Sequence, residues 1–340
     1  MAGDMQSPPL QPAASKPAVA VPNSPGFRTR RFPRLRRASS LEPERDWIGM
    51  LPPGRQMLRA MRAVRRLLCV LVLTAIAVPA QTVAILLPGS AKRAVPVIFW
   101  RSLCVSIGLA VRVLGEPAQV AGRPVVYVAN HSSWLDILVI GSRLRTCFVA
   151  KEEVGRWPVI ATVARLGRSV FVRRRRASTV RECNQMASRL VHGDNLVLFP
   201  EGTTSDGSRV LAFRSAFLAI AGQRLPNGQL PLVQPVSIAY DRLAGLPTGR
   251  FNRPLFAWYG AMEIGPHFWA LAKHCGLRAT VMLHPPLDPA VFASRKELTA
   301  AVWQAVAEGA ACLRQNRLPS PASLHTAASL HMTDSHTRNT

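Results

Sequence analysis

The sequence predicts an α/β fold, a mainly parallel sheet flanked by helices, preceded by an N-terminal helical segment that anchors in a membrane. Three observations carry this expectation. After Glu116, short β-rich runs alternate with helical patterns, the order produced by parallel strands joined through crossover helices. Residues 67–87 read LLCVLVLTAIAVPAQTVAILL, 21 residues without a charge. As a helix rising about 1.5 Å per residue, that run matches a hydrocarbon core of roughly 30 Å. Arg59, Arg62, Arg65 and Arg66 stand just before it, a cationic flank that favours a cytoplasmic N-terminal side.

At 340 residues the chain has material for one large domain or two small ones. Residues 1–60 are rich in Pro, Ser and Ala, carry a basic run at 28–37 and lack apolar periodicity, so they read as disordered. They do not form a secretory signal, because the first long apolar run starts only at Leu67; an Arg-rich, acid-poor leader also imitates an organellar transit peptide. Residues 61–116 form the anchor. Its first helix is 67–87, with Pro79 expected to kink it or to turn it into a re-entrant hairpin. A second apolar stretch, 95–113, contains Arg101 and Arg112, whose charges favour an interfacial helix over a full span.

Residues 117–314 form the folded domain. Its expected strands are 124–130, 145–151, 168–174, 195–202 and 232–240. Between the third and fourth lies a helix opened by a capping box, Thr179 with Glu182. Cys183, Met186 and Leu190 line one face of it, and Gly193 ends it. Another helix is expected after Arg209, with Phe213, Phe217 and Ile220 at helical spacing. Pro235, inside the apolar run 232–240, signals an edge strand or a bulge. There are no internal repeats, and the Ser/Thr/His/Ala-rich residues 315–340 read as a disordered tail. In such a fold, ligands gather at the carboxyl ends of the strands.

Charge narrows the partners. Forty-three Lys and Arg against 18 Asp and Glu give a net +25, so the surface meets something anionic: nucleic acid, lipid headgroups or an acidic carrier protein. No RRM, KH or helix-turn-helix pattern accompanies the charge, which argues against nucleic acid as a partner. Cys69, Cys104, Cys147, Cys183, Cys275 and Cys312 are scattered without a CxxC pair, and read as unpaired thiols in a reducing compartment. No zinc spacing is present, and no metal is expected.

Four segments carry chemistry. The first is Asn130-His131-Ser132-Ser133-Trp134-Leu135-Asp136, at the end of the run PVVYVA. A histidine at a strand-to-helix corner meets substrate, and an aspartate one short turn later reaches back to its other ring nitrogen, fixing the tautomer and stabilising the imidazolium. An isolated His and Asp at this spacing recur by chance; the neighbouring motifs give the pair its weight. No GxSxG elbow or nucleophile-like cysteine is present, so the histidine activates a substrate hydroxyl. The second segment is Phe171-Val172-Arg173-Arg174, where guanidiniums at a strand end clamp phosphate or carboxylate oxygens, while Arg175 and Arg176 read as a solvated turn. In the third, Phe199-Pro200-Glu201-Gly202-Thr203-Thr204-Ser205, Gly202 allows close backbone approach, the hydroxyls donate to a headgroup, and Glu201 orients arginines or binds glycerol hydroxyls. The fourth is Val233-Gln234-Pro235-Val236.

In this order the four resemble the glycerolipid acyltransferase family, of the 1-acylglycerol-3-phosphate O-acyltransferase type. NHSSWLD and FPEGTTS match its pattern without a substitution, and the resemblance spans residues 123–238. It implies that residues 117–314 form an acyltransferase domain. His131 then takes the proton from a lysolipid hydroxyl with Asp136 in support, and Arg174, Glu201, Gly202, Thr203 and Arg214 bind the acceptor's phosphate and glycerol. The acyl donor is a thioester, acyl-CoA or acyl carrier protein, and no further cofactor is implied. The remaining partners are the lysolipid acceptor and a bilayer with anionic lipids, the domain standing on the cytoplasmic face of a bacterial inner membrane. Two departures bear on headgroup specificity. Arg173 stands where the family often has an acidic residue, and Gly167 is one residue farther from the arginine than in many members. The segments AWYGAMEIGPHFW (257–269) and MLHPPLD (282–288) also resemble a bacterial subgroup that includes lyso-ornithine lipid acyltransferases. That headgroup, with a carboxylate and an amine in place of a phosphate, is the alternative acceptor to 1-acyl-glycerol-3-phosphate.

Overall fold

The computed structural model describes residues 53–120, 123–151, 161–164, 167–172 and 179–317. Helices α1 (Pro53–Leu86) and α2 (Ala91–Ile107) lead into β1 (Leu109–Leu114), β2 (Val125–Ala129), α3 (Leu135–Gly141), β3 (Thr146–Lys151) and β4 (Val170–Val172). Then follow α4 (Thr179–Val191), β5 (Asn195–Leu198), a 3-10 helix (Ser215–Gly222), β6 (Leu232–Leu243) and β7 (Leu246–Pro247). A 3-10 turn (Arg250–Leu255), α5 (Ile264–Ala272), β8 (Leu277–Leu283) and α6 (Arg295–Arg314) complete the domain.

The strands form one sheet in the order β1-β8-β6-β2-β5-β3-β4, with β7 paired to β6. β2 lies parallel to both β5 and β6, β3 to both β5 and β4, and β1 to β8; β8 and β7 run antiparallel to β6. The mainly parallel α/β expectation therefore holds. β2 shows why its sequence is a continuous apolar run: all five residues are buried, because both faces of the sheet are covered. Val125, Tyr127 and Ala129 face α2, α3 and α5, packing with Trp100, Ile107, Leu135, Ile140 and Leu271. Val126 and Val128 face α4, the 3-10 helix and α6, packing with Leu190, Leu218, Ile220, Val302 and Val306.

Several expectations are corrected. Residues 95–113 are not one interfacial helix. α2 ends at Ile107 because Gly108 adopts a left-handed φ of 71° and its N–H closes onto the carbonyls of Cys104 and Val105. The remainder, LAVRVL, becomes β1, its period-2 alternation leaving Ala110 and Arg112 outward. Residues 53–60, assigned to the disordered leader, belong to α1, which opens with Pro53, a residue preorganised for a first helical turn. Pro79 makes no hairpin, since α1 runs through it. The helix expected after Arg209 is a 3-10 helix that starts only at Ser215. The preceding backbone is held elsewhere, Leu211 N–H on Glu201 and Arg214 N–H on Pro200 O. Pro235 sits in the central strand β6, not at an edge, but the ladder to β8 is interrupted beside it. Val236 faces Leu283 while Val233 faces Leu287, one residue more on the far side. Gln234 Nε2 fills the gap by donating to the carbonyls of Glu116 and His284. Residues 1–52 and 318–340 lie outside the described residues.

α1 is long and apolar enough to cross a membrane, with a mean hydropathy of 2.2 in its best window, only 11% of which is buried. Leu68, Leu71, Val72, Ile76 and Val83 are exposed on it. Its basic flank does more than precede the apolar run. Arg66, 5% exposed, donates to the carbonyls of Ala272 and His274, and Arg62 donates to that of Lys273. Both guanidiniums thus cap the carboxyl end of α5, where unsatisfied carbonyls and the helix dipole favour a cation. A second clasp holds α2: Arg93 and Arg168 both donate to the buried carboxylate of Asp194.

α6 approaches the sheet most closely at Gly309, where an added Cβ would fall 2.5 Å from Ser237 Oγ and 2.6 Å from His284 Nε2. Ser237 Oγ donates to Val306 O (2.9 Å) and so accepts from His284 Nε2 (2.8 Å). Alanine is ordinarily the better helix former by about 1 kcal/mol. Here the overpacking cost of roughly 1–3 kcal/mol wins, so Gly309→Ala should lower the melting temperature in detergent; an increase would show that α6 can shift outward freely. Burial pulls the His284 imidazole down from 6.5 to about 4. The unfolded chain then takes up that proton first, and this contribution to stability, complete above 6.5, is lost as pH falls toward 4. The stability difference between wild type and His284→Gln should shrink over that window in paired thermal melts.

Candidate active site

The carboxyl ends of β2 and β5 bring the first and third motifs together. β2 delivers Asn130 and His131 to a corner before α3, and β5 delivers the turn from Phe199 to Gly202. Asn130, only 5% exposed, ties the corner to β6: its Nδ2 donates to Ile238 O (3.1 Å) and its Oδ1 accepts from Ile238 N–H (2.8 Å). The side chain replaces backbone pairing where β2 has just ended.

Asp136 lies in the first turn of α3 and is 0% exposed. Its Oδ2 accepts from His131 Nδ1 at 2.9 Å and from the backbone N–H groups of Ser132 (2.7 Å) and Ser133 (2.9 Å). Its Oδ1 accepts from Tyr240 Oη at 2.5 Å. Because a carboxylate only accepts, His131 carries its proton on Nδ1, and Nε2 is left with a free lone pair. Burial, then the neighbouring Asp136, pushes the Tyr240 phenol well above its usual value of 10, so it stays a donor. The His131 side chain is 20% exposed and its ring stacks on Phe199, centroids 4.1 Å apart and planes 20° from parallel. It is thus held on two sides and open on another.

Glu201 is 2% exposed and sits beneath the same corner. Its Oε1 accepts from His131 N–H (2.7 Å) and its Oε2 from Leu211 N–H (2.9 Å). Burial raises its carboxyl to about 7, with the two N–H groups pulling the other way. Glu201, expected among the headgroup-binding residues, has its oxygens occupied by the backbone N–H groups of His131 and Leu211. Gly202 follows in a left-handed turn (φ 69°), and the Arg214 side chain lies beside it, its Nε 3.6 Å from where a Cβ would be. Thr203 and Arg214 are exposed beside this turn. Ser205 N–H donates to His131 O (2.9 Å), closing the loop back on the first motif. Arg173 to Arg176, with the headgroup-binding assignment of Arg174, lie outside the described residues.

Three participants carried no role in the sequence reading. Tyr240 is one: nothing in LVQPVSIAY marks its hydroxyl, since only the fold brings a residue 104 positions away onto Asp136. Phe199 is another, quoted in a motif but hidden as a ring stack. The third is His267 of α5, whose Nδ1 accepts from Trp134 Nε1 at 3.0 Å; burial holds it below its ordinary value, consistent with a neutral acceptor. Among the described residues no group of three or more His, Cys, Asp or Glu is arranged to hold a metal ion.

Residues 110–239, from β1 through most of β6, match the acyltransferase family. The lyso-ornithine lipid O-acyltransferase of Rhizobium meliloti is 36% identical over 249 residues, covering 72% of this chain and 85% of that protein. The 1-acyl-sn-glycerol-3-phosphate acyltransferase of Neisseria gonorrhoeae is 34% identical over 136 residues, 39% of this chain and 52% of that one. In fold, the chain is similar to the crystal structure of the 1-acyl-sn-glycerophosphate acyltransferase PlsC from Thermotoga maritima. That likeness has a TM-score of 0.57 at 24% identity and covers 78% of this chain and 100% of the other. With a shared sequence that runs through nearly the whole of one relative and takes in both the His131 corner and the Glu201 turn, the chain belongs to the acyltransferase family.

Proposed function

We propose that this O-acyltransferase moves a fatty acyl group from a thioester to the free hydroxyl of a lysolipid, with His131 as general base. The observation that carries the reading is the 2.9 Å contact of His131 Nδ1 with a fully buried carboxylate that accepts from three further donors. Such a carboxylate fixes the tautomer and ring orientation and stabilises an imidazolium. Nε2 takes the proton of the acceptor hydroxyl as its oxygen attacks the thioester carbonyl. The tetrahedral intermediate then collapses: the C–S bond breaks, and the imidazolium returns the proton to the departing thiolate. Acyl-CoA and acyl carrier protein both supply such a thioester.

We favour ornithine over glycerol phosphate as the acceptor headgroup. The relative named for lyso-ornithine lipid is matched along 85% of its length, the one named for 1-acyl-glycerol-3-phosphate along 52%. Lysophosphatidate is the second reading, favoured by the unsubstituted NHSSWLD and FPEGTTS motifs. Arg174, Thr203 and Arg214 are proposed to contact the acceptor, with Gly202 providing the turn. The apolar face of α1 supports a membrane anchor, with the domain on the cytoplasmic face of a bacterial inner membrane, where acceptor and product both reside.

Membranes containing the chain, given an acyl thioester and offered lyso-ornithine lipid and lysophosphatidate in parallel, should acylate the former faster; absence of both products would end the reading. His131→Ala should lower turnover by roughly 10²–10⁴-fold, and near-wild-type activity would remove the base assignment. Tyr240→Phe, which takes one donor from Asp136, should lower kcat roughly tenfold with little change in KM. A rise in KM alone would place Tyr240 in binding instead.

A further inference from the structure

On the β6 side of the catalytic corner lies a cleft of about 400 Å³, open mouth included. Asn130, Ser132 and Ser205, from the two motifs that meet at the corner, line it, and Arg209, Arg253 and Arg314 supply its charge. Arg253 comes from the 3-10 turn before α5, and Arg314 is the last residue of α6. They are 61 positions apart in sequence and belong to none of the four motifs.

Arginine at the end of a helix is ordinarily explained by the dipole and by solvent. Two facts set this pair apart. Among the described residues neither guanidinium has a hydrogen-bond or ion-pair partner, whereas Arg93, Arg168 and Arg278 each hold a carboxylate. In addition, Arg314 is desolvated beside a like charge: burial, then Arg253, pull it below its ordinary value, and Asp206 and Glu201 only partly offset them. Both guanidiniums line the same cleft without a hydrogen-bonded anion, and an oxyanion between them would satisfy the two planar forks at once.

We infer that this cleft holds the anionic headgroup of the acyl acceptor, its carboxylate or phosphate oxygens lying between Arg253 and Arg314. The placement favours the acceptor over the donor. Ser132 N–H binds Asp136 and Ser205 N–H binds His131 O, so a group in the cleft is separated from the base by one residue of loop. A lysolipid's headgroup lies a few bonds from its reactive hydroxyl, whereas the phosphates of a pantetheine thioester lie many bonds from its carbonyl.

The inference rests on the acyl-transfer reading, and the test separates the two. Full-length Arg253→Gln and Arg314→Gln, with the lysine variants at both positions, are assayed in mixed micelles at saturating acyl thioester. The acceptors are lyso-ornithine lipid, lysophosphatidate and an uncharged monoacylglycerol. The expected result is a rise of roughly tenfold or more in KM for the anionic acceptors, unchanged KM for thioester and for monoacylglycerol, and partial recovery with lysine. A rise confined to lyso-ornithine lipid or to lysophosphatidate identifies which headgroup the cleft reads. An unchanged acceptor KM, a rise in thioester KM instead, or an equal rise for the uncharged acceptor would overturn it. Product formed by the glutamine variants at high acceptor concentration shows acyl transfer intact whichever way the KM values fall.

Discussion

Everything at the catalytic corner depends on one buried charge. Asp136 is fully buried, so its carboxylate must be saturated by partners at hand. The four donors that do so come from separate places: the imidazole of His131, the N–H groups of Ser132 and Ser133, and the hydroxyl of Tyr240. Those N–H groups belong to the corner that leads from β2 into α3. Tyr240 in turn stacks on Phe256 at 5.0 Å. The aspartate that orients the histidine thus also fastens α3, β2 and β6 into one unit. Removing it would leave a hole in the fold as well as in the chemistry.

Glu201 repeats the device from the other strand. A carboxylate with two backbone N–H partners, one on His131 and one on Leu211, converts a tight turn after β5 into a brace under the base. The Glu201 of one motif is therefore explained by the position of another. Two buried carboxylates, one behind the imidazole and one below its backbone, leave the ring little freedom to turn away. Preorganisation of this kind lowers the cost of reaching a productive geometry.

Much of this was legible in sequence where local chemistry decides the outcome. The strands around β2 and β5 follow from apolar runs with turn residues at their ends, and α4 from its capping box. The dyad follows from its place at a strand-to-helix corner in company with the motif at 199–205, since its spacing alone recurs by chance. What was hidden is non-local. LAVRVL reads as the tail of an apolar helix until Gly108 is seen to end α2, and its partner β8 lies more than 150 residues on. Pro235 leaves an edge and a bulge open until the register against β8 shows the bulge in an interior strand. Tyr240, Phe199 and the pair Arg253 and Arg314 gain meaning only from neighbours distant in the chain.

The arginines of α1 have a mechanical consequence. Arg62 and Arg66 grip the carboxyl end of α5, and the same helix holds the Trp134 indole through His267. α1 and the catalytic corner are therefore joined through α5, with no slack tether between them. With α1 as the membrane anchor proposed above, the distance from the bilayer plane to the imidazole is built into the protein, like the height of a stylus above a turntable. An acceptor must rise to that height to react, and how far its hydroxyl naturally stands above the acyl chains becomes a selection criterion in its own right.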